Sequence, residues 1–430
     1  MRVLVTGATG FIGRAVAQAL RARGHVVVPA TRRAPEPGAE FVPADFARVP
    51  GRDWWVPRLA GIDAVVNAVG ILRETRGQGF EALHHRAPAE LFQACAIAGV
   101  PVVVQVSALG ADASARTRYH LSKKAADDVL RSLPLRGAIV QPSLVYGPGG
   151  GSTPLFNQLA LAPVLPFPLA ARMRVQPVHV DDLVQGIVRL VEQPPQPLAT
   201  LAFAGPRPLQ LREYLEELRA ALGEGGRQWV LPLPVALFRA AAAVAGRVPG
   251  SMLDPENAQM LLAGNATQRN GLPGLLGQAP RPPREFLRGA DREPARRSAA
   301  IDLWLPVLRV ALALMWIWTA VVSFGLYPVQ DSHALLARVG LHGAAAAGAL
   351  YGAALLDLAL GVLTLAAPAR WRRPVWLAQL ALVAGYTVLI TLFLPEYWLH
   401  PYGPISKNLP ILALLALLWA LEPPAPARKG

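Results

Sequence analysis

Short apolar runs separated by helical patterns set the character of the first half of the chain. Val3-Leu4-Val5, Val26-Val27-Val28, Ala64-Val65-Val66, Val102-Val103-Val104 and Ala138-Ile139-Val140 read as strands buried on both faces. Helices are predicted around 12–23, 80–98 and 120–132, with Gly24 and Gly99 in left-handed caps shortly before the next strand. The alternation predicts an α/β fold, a doubly wound parallel sheet. From about Gly147 to Leu276 the pattern loosens into Pro-rich loops and helices, among them 181–192 and 210–222. That segment predicts a small substrate lobe over the carboxyl ends of the strands, where ligands bind in such sheets. Four longer apolar segments follow at 305–327, 343–367, 375–394 and 402–421. Each is near the roughly 20 residues that cross a bilayer, which predicts an all-α four-helix transmembrane bundle. The expected domains are 1–290, with the lobe mainly at 147–276, a Pro/Arg-rich linker at 277–300 and the membrane part at 301–430.

Charge sharpens the division. Of 42 basic and 28 acidic residues in the whole chain, only 8 and 5 lie beyond residue 300. The net charge of +14 comes without any run of interleaved basic and aromatic residues, so a nucleic acid partner is not expected. A lipid bilayer fits better: Arg281, Arg284, Arg288, Arg292, Arg296 and Arg297 precede the first apolar span, and each basic residue near an anionic surface contributes about 1 kcal/mol. Arg370, Arg372 and Arg373 lie between the second and third spans, and Arg428 and Lys429 follow the fourth. The other two connections hold only Arg338 and Lys407, so the positive-inside rule places both termini in the cytoplasm of a four-span cell-membrane protein. No charged, apolar and cleavage region precedes the strand that starts at Arg2, which also predicts a cytoplasmic N-terminal part. Cys95 is the sole cysteine, which excludes internal disulfides and a cysteine-rich metal cage; no metal site is expected.

The chemistry begins at Thr6-Gly7-Ala8-Thr9-Gly10-Phe11-Ile12-Gly13, between the first strand and the first helix. Gly7 permits the tight turn, Gly10 lets phosphates approach the backbone, and Gly13 lets helix and strand pack closely. Free N–H groups at the positive helix end then suit a pyrophosphate, although a plain glycine-rich turn has the same letters. Tyr119 and Lys123 stand one helical turn apart, where an ammonium is expected to lower the phenol's pKa for proton exchange with an alcohol. With four lysines and eight tyrosines in the chain, this spacing is expected by chance only about 0.07 times. Ser107, at a strand end twelve residues earlier, could polarise a carbonyl oxygen or serve as an ordinary cap. Arg32 and Arg33 follow the second strand, where arginine suits a 2′-phosphate and so favours NADP, with NAD the alternative; two solvated arginines would look the same.

Thr6 to Gly13, Asn67-Ala68-Val69-Gly70, Ser107, Tyr119 with Lys123, Gln141-Pro142-Ser143-Leu144-Val145-Tyr146-Gly147 and Val178-His179-Val180-Asp181-Asp182 together resemble the extended or atypical short-chain dehydrogenase/reductase family, over about residues 1–290. The resemblance implies a Rossmann domain with Tyr119 as general acid/base, Lys123 on the nicotinamide ribose and tuning the tyrosine, and Ser107 on the substrate oxygen. It implies that Gly7, Thr9, Gly10, Phe11, Ile12 and Gly13 hold the cofactor, that Asn67 lines the cleft and that Asp45-Phe46 approaches adenine. Strand-end or helix-cap roles for Asn67 and Asp45 stay open, and Asp181 and Asp182 read as helix caps. Val106-Ser107-Ala108-Leu109-Gly110-Ala111 lacks the serine-rich, tyrosine-containing segment of sugar-nucleotide epimerases. It is more similar to the branch containing the accessory Rossmann subunit of respiratory complex I, whose members bind NADP with or without turnover. Residues 301–430 resemble the DoxX-like four-helix family, notably Tyr351-Gly352-Ala353-Ala354-Leu355-Leu356-Asp357 and Gly403-Pro404-Ile405-Ser406-Lys407-Asn408-Leu409-Pro410. Asp357 falls mid-span, with Arg309, His342 and Lys407 as candidate partners, either for an interhelical bond or for a proton or quinone role. The expected function is a membrane-tethered NADP(H)-dependent oxidoreductase acting on a carbonyl or alcohol of a small lipophilic substrate. The alternative is a non-catalytic NADP-binding subunit with a membrane-complex partner.

Overall fold

The computed structural model describes residues 1–34, 38, 40–168, 173–247 and 253–423, which fall into two units, Met1–Ala300 and Ile301–Gly430. In the first, seven parallel strands form one sheet: β1 (Arg2–Thr6), β2 (Val26–Thr31), β3 (Val42–Pro43), β4 (Ala64–Asn67), β5 (Val102–Val106), β6 (Arg136–Pro142) and β7 (Ala199–Phe203). Their spatial order is β7-β6-β5-β4-β1-β2-β3. Alternate residues of each strand enter opposite cores. Val3, Val5, Val66, Val104 and Val140 pack on one face with Val16 and Leu20 of helix α1 (Phe11–Ala22). Leu4, Val65, Val103 and Ile139 pack on the other with Leu91, Phe92 and Cys95 of α2 (Ala87–Ala98) and with Ala126 and Leu130 of α3 (Arg118–Arg131). Burial on both faces explains why the strands are unbroken Val/Ile/Ala runs rather than alternating ones. The strand order reverses between β1 and β4, and a crevice opens there at the carboxyl ends.

The doubly wound sheet predicted from sequence is present, with two edge additions, the two-residue β3 beside β2 and the longer β7. β7 comes from the segment read as loops and helices and pairs with β6 from Ala199↔Ala138 to Phe203↔Pro142. Its sequence, Ala-Thr-Leu-Ala-Phe, is short and half-buried at the sheet edge, so it carries neither strand signal strongly. The expected capping by Asp181 and Asp182 is also corrected. His179 is the N-cap of α4 (Val180–Glu192), its ring accepting from the Asp181 N–H at 3.2 Å. Asp182 is buried and instead receives the Arg281 backbone N–H at 2.9 Å and its Nε at 3.0 Å. Nearby, Phe286 and Leu287 are buried with Leu215 and Leu218 of α5 (Leu211–Ala221), so the proline/arginine segment is pinned rather than free over this stretch.

The second unit contains α7 (Arg292–Val321) from its residue 301 onward, α8 (Gly343–Ala366), α9 (Ala369–Phe393) and α10 (Asn408–Leu421), α6 being a helix of the first unit (Pro255–Ala263). Among the described residues, three helices are long and apolar enough to cross a membrane. The fourth apolar segment begins its helix at Asn408 and has 14 residues, a length of about 21 Å. Polar side chains tie the bundle: Trp316 Nε1 donates to Gln379 Oε1 at 2.7 Å, and Gln379 Nε2 to Thr364 Oγ1 at 2.9 Å. Glu422 pairs with Arg309 at 2.5 Å and with Arg372 at 3.3 Å. Arg309 is therefore not the partner expected for Asp357, whose buried Oδ1 has no hydrogen bond among the described residues, and neither His342 nor Lys407 bonds to it there. Glu422→Gln leaves two guanidinium groups facing no carboxylate, and is expected to lower the thermal midpoint of the detergent-purified protein. Arg428 and Lys429 lie outside the described residues.

Candidate active site

The loop after β1 is built so that only glycine fits. Gly7 has φ +64°, and a Cβ there would stand 2.7 Å from the Ala68 carbonyl oxygen. A Cβ on Gly13 would stand 2.2 Å from the Gly7 carbonyl oxygen. The Gly10 N–H closes the turn on Gly7 O at 2.8 Å. Gly10 is then the N-cap of α1, with no side chain capping the first turn and no acid within it. These first-turn N–H groups are the natural partners of an anion, so the residues present fit the pyrophosphate of a dinucleotide. Thr9 lies exposed at the tip of the loop, while Gly13 is buried.

A cavity of about 440 Å³ opens beside this loop. Gly10, Phe11 and Ile12 reach it from α1, Ala68, Val69 and Gly70 from beyond β4, and Ser107, Tyr119 and Lys123 from the β5–α3 side. The opposite wall is mainly apolar, with Leu144, Leu155, Phe156, Met260 and Leu261, interrupted by Ser152, Asn257 and Asn265. Lys123 is the one Lys or Arg in the lining among the described residues. Other residues named from sequence lie outside it. Asn67 is fully buried and engaged within the sheet, donating to Gln105 Oε1 at 2.6 Å and accepting from Thr6 Oγ1 at 2.5 Å. Asp45 caps a short 3-10 turn by accepting the Ala47 N–H at 3.1 Å, and Phe46 is a core residue packed edge-on against Trp55. Arg32 and Arg33 are exposed just past β2, and neither makes an ion pair among the described residues.

Tyr119 enters the cavity at the start of α3, which is capped by Thr117 Oγ1 accepting the His120 N–H at 3.3 Å. Its ring is met edge-on by Phe80, His84 and His120 at 5.8, 5.4 and 5.2 Å between centroids. Among the described residues its hydroxyl has no hydrogen-bond partner. Burial pushes the phenol up to about 12, opposite to the lowering expected from its lysine neighbour. The lysine is itself desolvated: burial brings Lys123 down to about 8 against the pull of Asp127. Lys123 Nζ donates to the backbone carbonyls of Val69 and Val106, both at 3.1 Å, which fixes the ammonium between β4 and β5. The arrangement holds a neutral phenol and a desolvated lysine in the lining of one cavity, groups that can give a proton and a positive charge to an oxygen bound there.

Three residues at this site escaped the sequence reading. His84 accepts the Ile71 N–H through Nε2 at 3.0 Å and bonds Ser122 Oγ through Nδ1 at 3.1 Å. Burial, aided by the Lys123 charge, lowers it to about 2, so the ring stays neutral. Glu256, on α6, accepts the Tyr119 backbone N–H at 2.9 Å and ties the lobe to the start of α3. Asp127 accepts from Ser107 Oγ at 2.5 Å. Its position was legible, because residues 119, 123 and 127 recur every four along one helix face. His84 and Glu256 arrive from remote elements and gave no local signal.

Residues 3–199 match the model of the NAD dependent epimerase/dehydratase family. Residues 313–416 match the DoxX-like family. The chain joins an epimerase/dehydratase-family domain to a DoxX-like domain. The epimerase/dehydratase-type domain is similar to a ceramide reductase of Caulobacter vibrioides, 31% identical over 200 residues that cover 45% of this chain and 61% of that protein. It is also similar to the mitochondrial NADH dehydrogenase [ubiquinone] 1 alpha subcomplex subunit 9 of Arabidopsis thaliana, 29% identical over 267 residues covering 59% of this chain and 66% of that one. The chain thus spans less than two thirds of the length of these relatives. A nucleoside-diphosphate-sugar epimerase of Staphylococcus aureus shares the fold, with 16% identity, a TM-score of 0.52 and coverage of 67% of this chain and 100% of that one. Matches to the NAD dependent epimerase/dehydratase model and to the DoxX-like model therefore occur in one chain.

Proposed function

We propose that this protein is a membrane-tethered NADP(H)-dependent reductase that acts on the carbonyl of a lipophilic substrate of ceramide type. The observation that carries this reading is the single cavity in which Ser107, Tyr119 and Lys123 meet the end of the glycine loop, the rest of its lining being mostly apolar with no further Lys or Arg among the described residues. A nucleotide sugar would bring a second pyrophosphate, whose usual partners are arginines; an acyl chain needs only apolar walls. The similarity to a ceramide reductase points the same way. The carbonyl carbon receives the hydride that bound dihydronicotinamide supplies. Tyr119 gives its proton to the carbonyl oxygen, Lys123 stabilises the resulting phenolate, and Ser107 holds the same oxygen from the β5 side. Both termini are placed in the cytoplasm and four segments in the membrane, with 1–290 and 301–430 as domains and the stretch between them as connection, so that the cavity works on substrates drawn from the bilayer.

NADP is assigned over NAD because Arg32 and Arg33 stand exposed where β2 ends, beside the position of the adenosine ribose in such folds. Replacing both by alanine is expected to weaken NADPH binding by about tenfold to a hundredfold, the worth of one or two charge-assisted bonds, and to leave NADH binding unchanged. Fluorescence titration with the two cofactors checks this. The reading as a whole is tested with purified protein in lipid nanodiscs, NADPH and a long-chain keto-amide. Ketone-dependent NADPH oxidation is the expected result, and none at all would overturn it.

A second reading is a non-catalytic NADP-binding subunit of a membrane complex, favoured by the similarity to the alpha subcomplex subunit. It predicts tightly held, unreactive NADP, a silent Tyr119→Phe variant and co-purification with membrane partners.

A further inference from the structure

A buried polar ladder crosses the sheet and ends at Gln105, whose amide acts on the Asp127 carboxyl. Thr6 Oγ1 on β1 donates to Asn67 Oδ1 on β4, and Asn67 Nδ2 donates to Gln105 Oε1 on β5. Each bond sets the direction of the next, so Gln105 presents its Nε2 as the remaining donor. That Nε2 and Asp127 Oδ1 are both buried and unpartnered among the described residues. The other carboxylate oxygen, Oδ2, takes the Ser107 hydroxyl at 2.5 Å. Asp127 is completely buried and Ser107 is 3% exposed, so bulk water does not reach the carboxylate side of this pair. Ser107 also lines the cavity, and its single hydrogen points away from any substrate while Asp127 is ionised.

We infer that Asp127 is a positioning residue that decides, through Ser107, whether the cavity prefers a carbonyl or an alcohol. Ionised, Asp127 keeps the Ser107 hydrogen, and Ser107 offers the cavity only a lone pair, which suits the O–H of an alcohol. Protonated, Asp127 donates to Ser107 Oγ, and the hydroxyl hydrogen turns to the cavity to meet a carbonyl oxygen. No net proton is transferred to substrate: one proton taken from solvent neutralises Asp127, and the hydroxyl only rotates. The inference rests on the reductase reading for the identity of the two ligands, not for the hydrogen-bond exchange itself.

Asp127 is the carboxyl of the site that burial moves toward neutral pH, while His120, also in the lining, is held below its ordinary value chiefly by burial and is the other group whose charge the Asp127→Asn comparison must separate. Burial pushes its carboxyl up to about 6, against the opposing effects of Ser107, Lys123, Arg131 and the Gln105 amide. Lys123 and Arg131 face it from its own helix; Lys123 titrates at about 8, Tyr119 at about 12 and His84, from the turn preceding α2, at about 2. Ser107 and Gln105 face it from β5 and do not ionise.

Dead-end complexes test this without turnover: 2-tridecanone with NADP⁺ and 2-tridecanol with NADPH, by calorimetry at about pH 5 and about pH 7.5. The ketone should bind about fivefold more tightly at the lower pH and the alcohol should not. In Asp127→Asn the Gln105 amide orients the new side chain so that its NH₂ faces Ser107, and the ketone preference should persist at both pH values without a slope. Infrared difference spectra of wild type against Asp127→Asn should show a carboxylic acid band at the lower pH, displaced in Ser107→Ala. A wild-type slope retained in Asp127→Asn, or a ketone-to-alcohol ratio independent of pH in wild type, overturns the proposal. If neither probe binds, the spectra decide: a displaced acid band sustains the exchange, and a band absent or indifferent to Ser107→Ala overturns it. Ketone turnover in the same preparation reports separately on the reductase reading, so the two can fail independently.

Discussion

Tyr119→Phe is expected to reduce ketone turnover by about a hundredfold to ten-thousandfold, the usual contribution of a positioned proton donor, while NADPH affinity stays within about twofold. The substitution removes only the hydroxyl. The ring would keep its edge-on contacts with Phe80, His84 and His120, and α3 keeps its Thr117 cap, so the fold is not disturbed. Because the phenol stays protonated up to about 12, it can donate across the physiological range. The loss at higher pH comes from Lys123. Below about 8 the ammonium is charged and stabilises the phenolate; above it that charge is gone, and kcat for reduction should fall as pH rises through this value. Lys123→Met should be slow at every pH and lack that inflection. Pre-steady-state NADPH oxidation in wild type and both variants checks these outcomes.

Gly13→Val is expected to abolish dinucleotide binding. Its Cβ would lie 2.2 Å from the Gly7 oxygen, a contact with backbone that no rotamer relieves. Either the loop or α1 must move, and both the Gly10 turn and the open first-turn N–H groups depend on their present spacing. Overpacking alone costs about 1–3 kcal/mol. The sharper sign is in linkage: wild type at one hundred times its Kd for NADP gains about 2.7 kcal/mol of stability, and the variant should gain none. Thermal denaturation with and without NADP measures both quantities. A Gly13→Val protein stabilised by NADP as wild type is would show that the pyrophosphate does not sit at α1.

What the sequence made legible followed from local rules. The valine runs gave the central strands because β4 and β5 are buried on both faces, and the glycines marked the loop because Gly7 and Gly13 meet backbone that excludes a Cβ. The edge strand β7 was not legible, since pairing along one side supplies the order that its composition does not. At the site, Tyr119, Lys123 and Ser107 were found by spacing and strand-end position. Their electrostatics were not, because the depth of the cavity raises Tyr119 and depresses Lys123 more than their proximity does. The side chains of Asn67 and Phe46 are engaged in the sheet and the core, contacts between remote elements that spacing along the chain does not show.

The most direct measurement of the central claim is hydride transfer itself. Purified protein in nanodiscs would be given NADPH deuterated at nicotinamide C4 on one face or the other, with a long-chain keto-amide as acceptor, and the lipid product analysed by mass spectrometry. The reductase reading predicts one deuterium on the carbinol carbon from one face only, and none in Tyr119→Phe over the same time. Unlabelled lipid with NADPH recovered intact from both faces would contradict it and leave a nucleotide-binding subunit in its place.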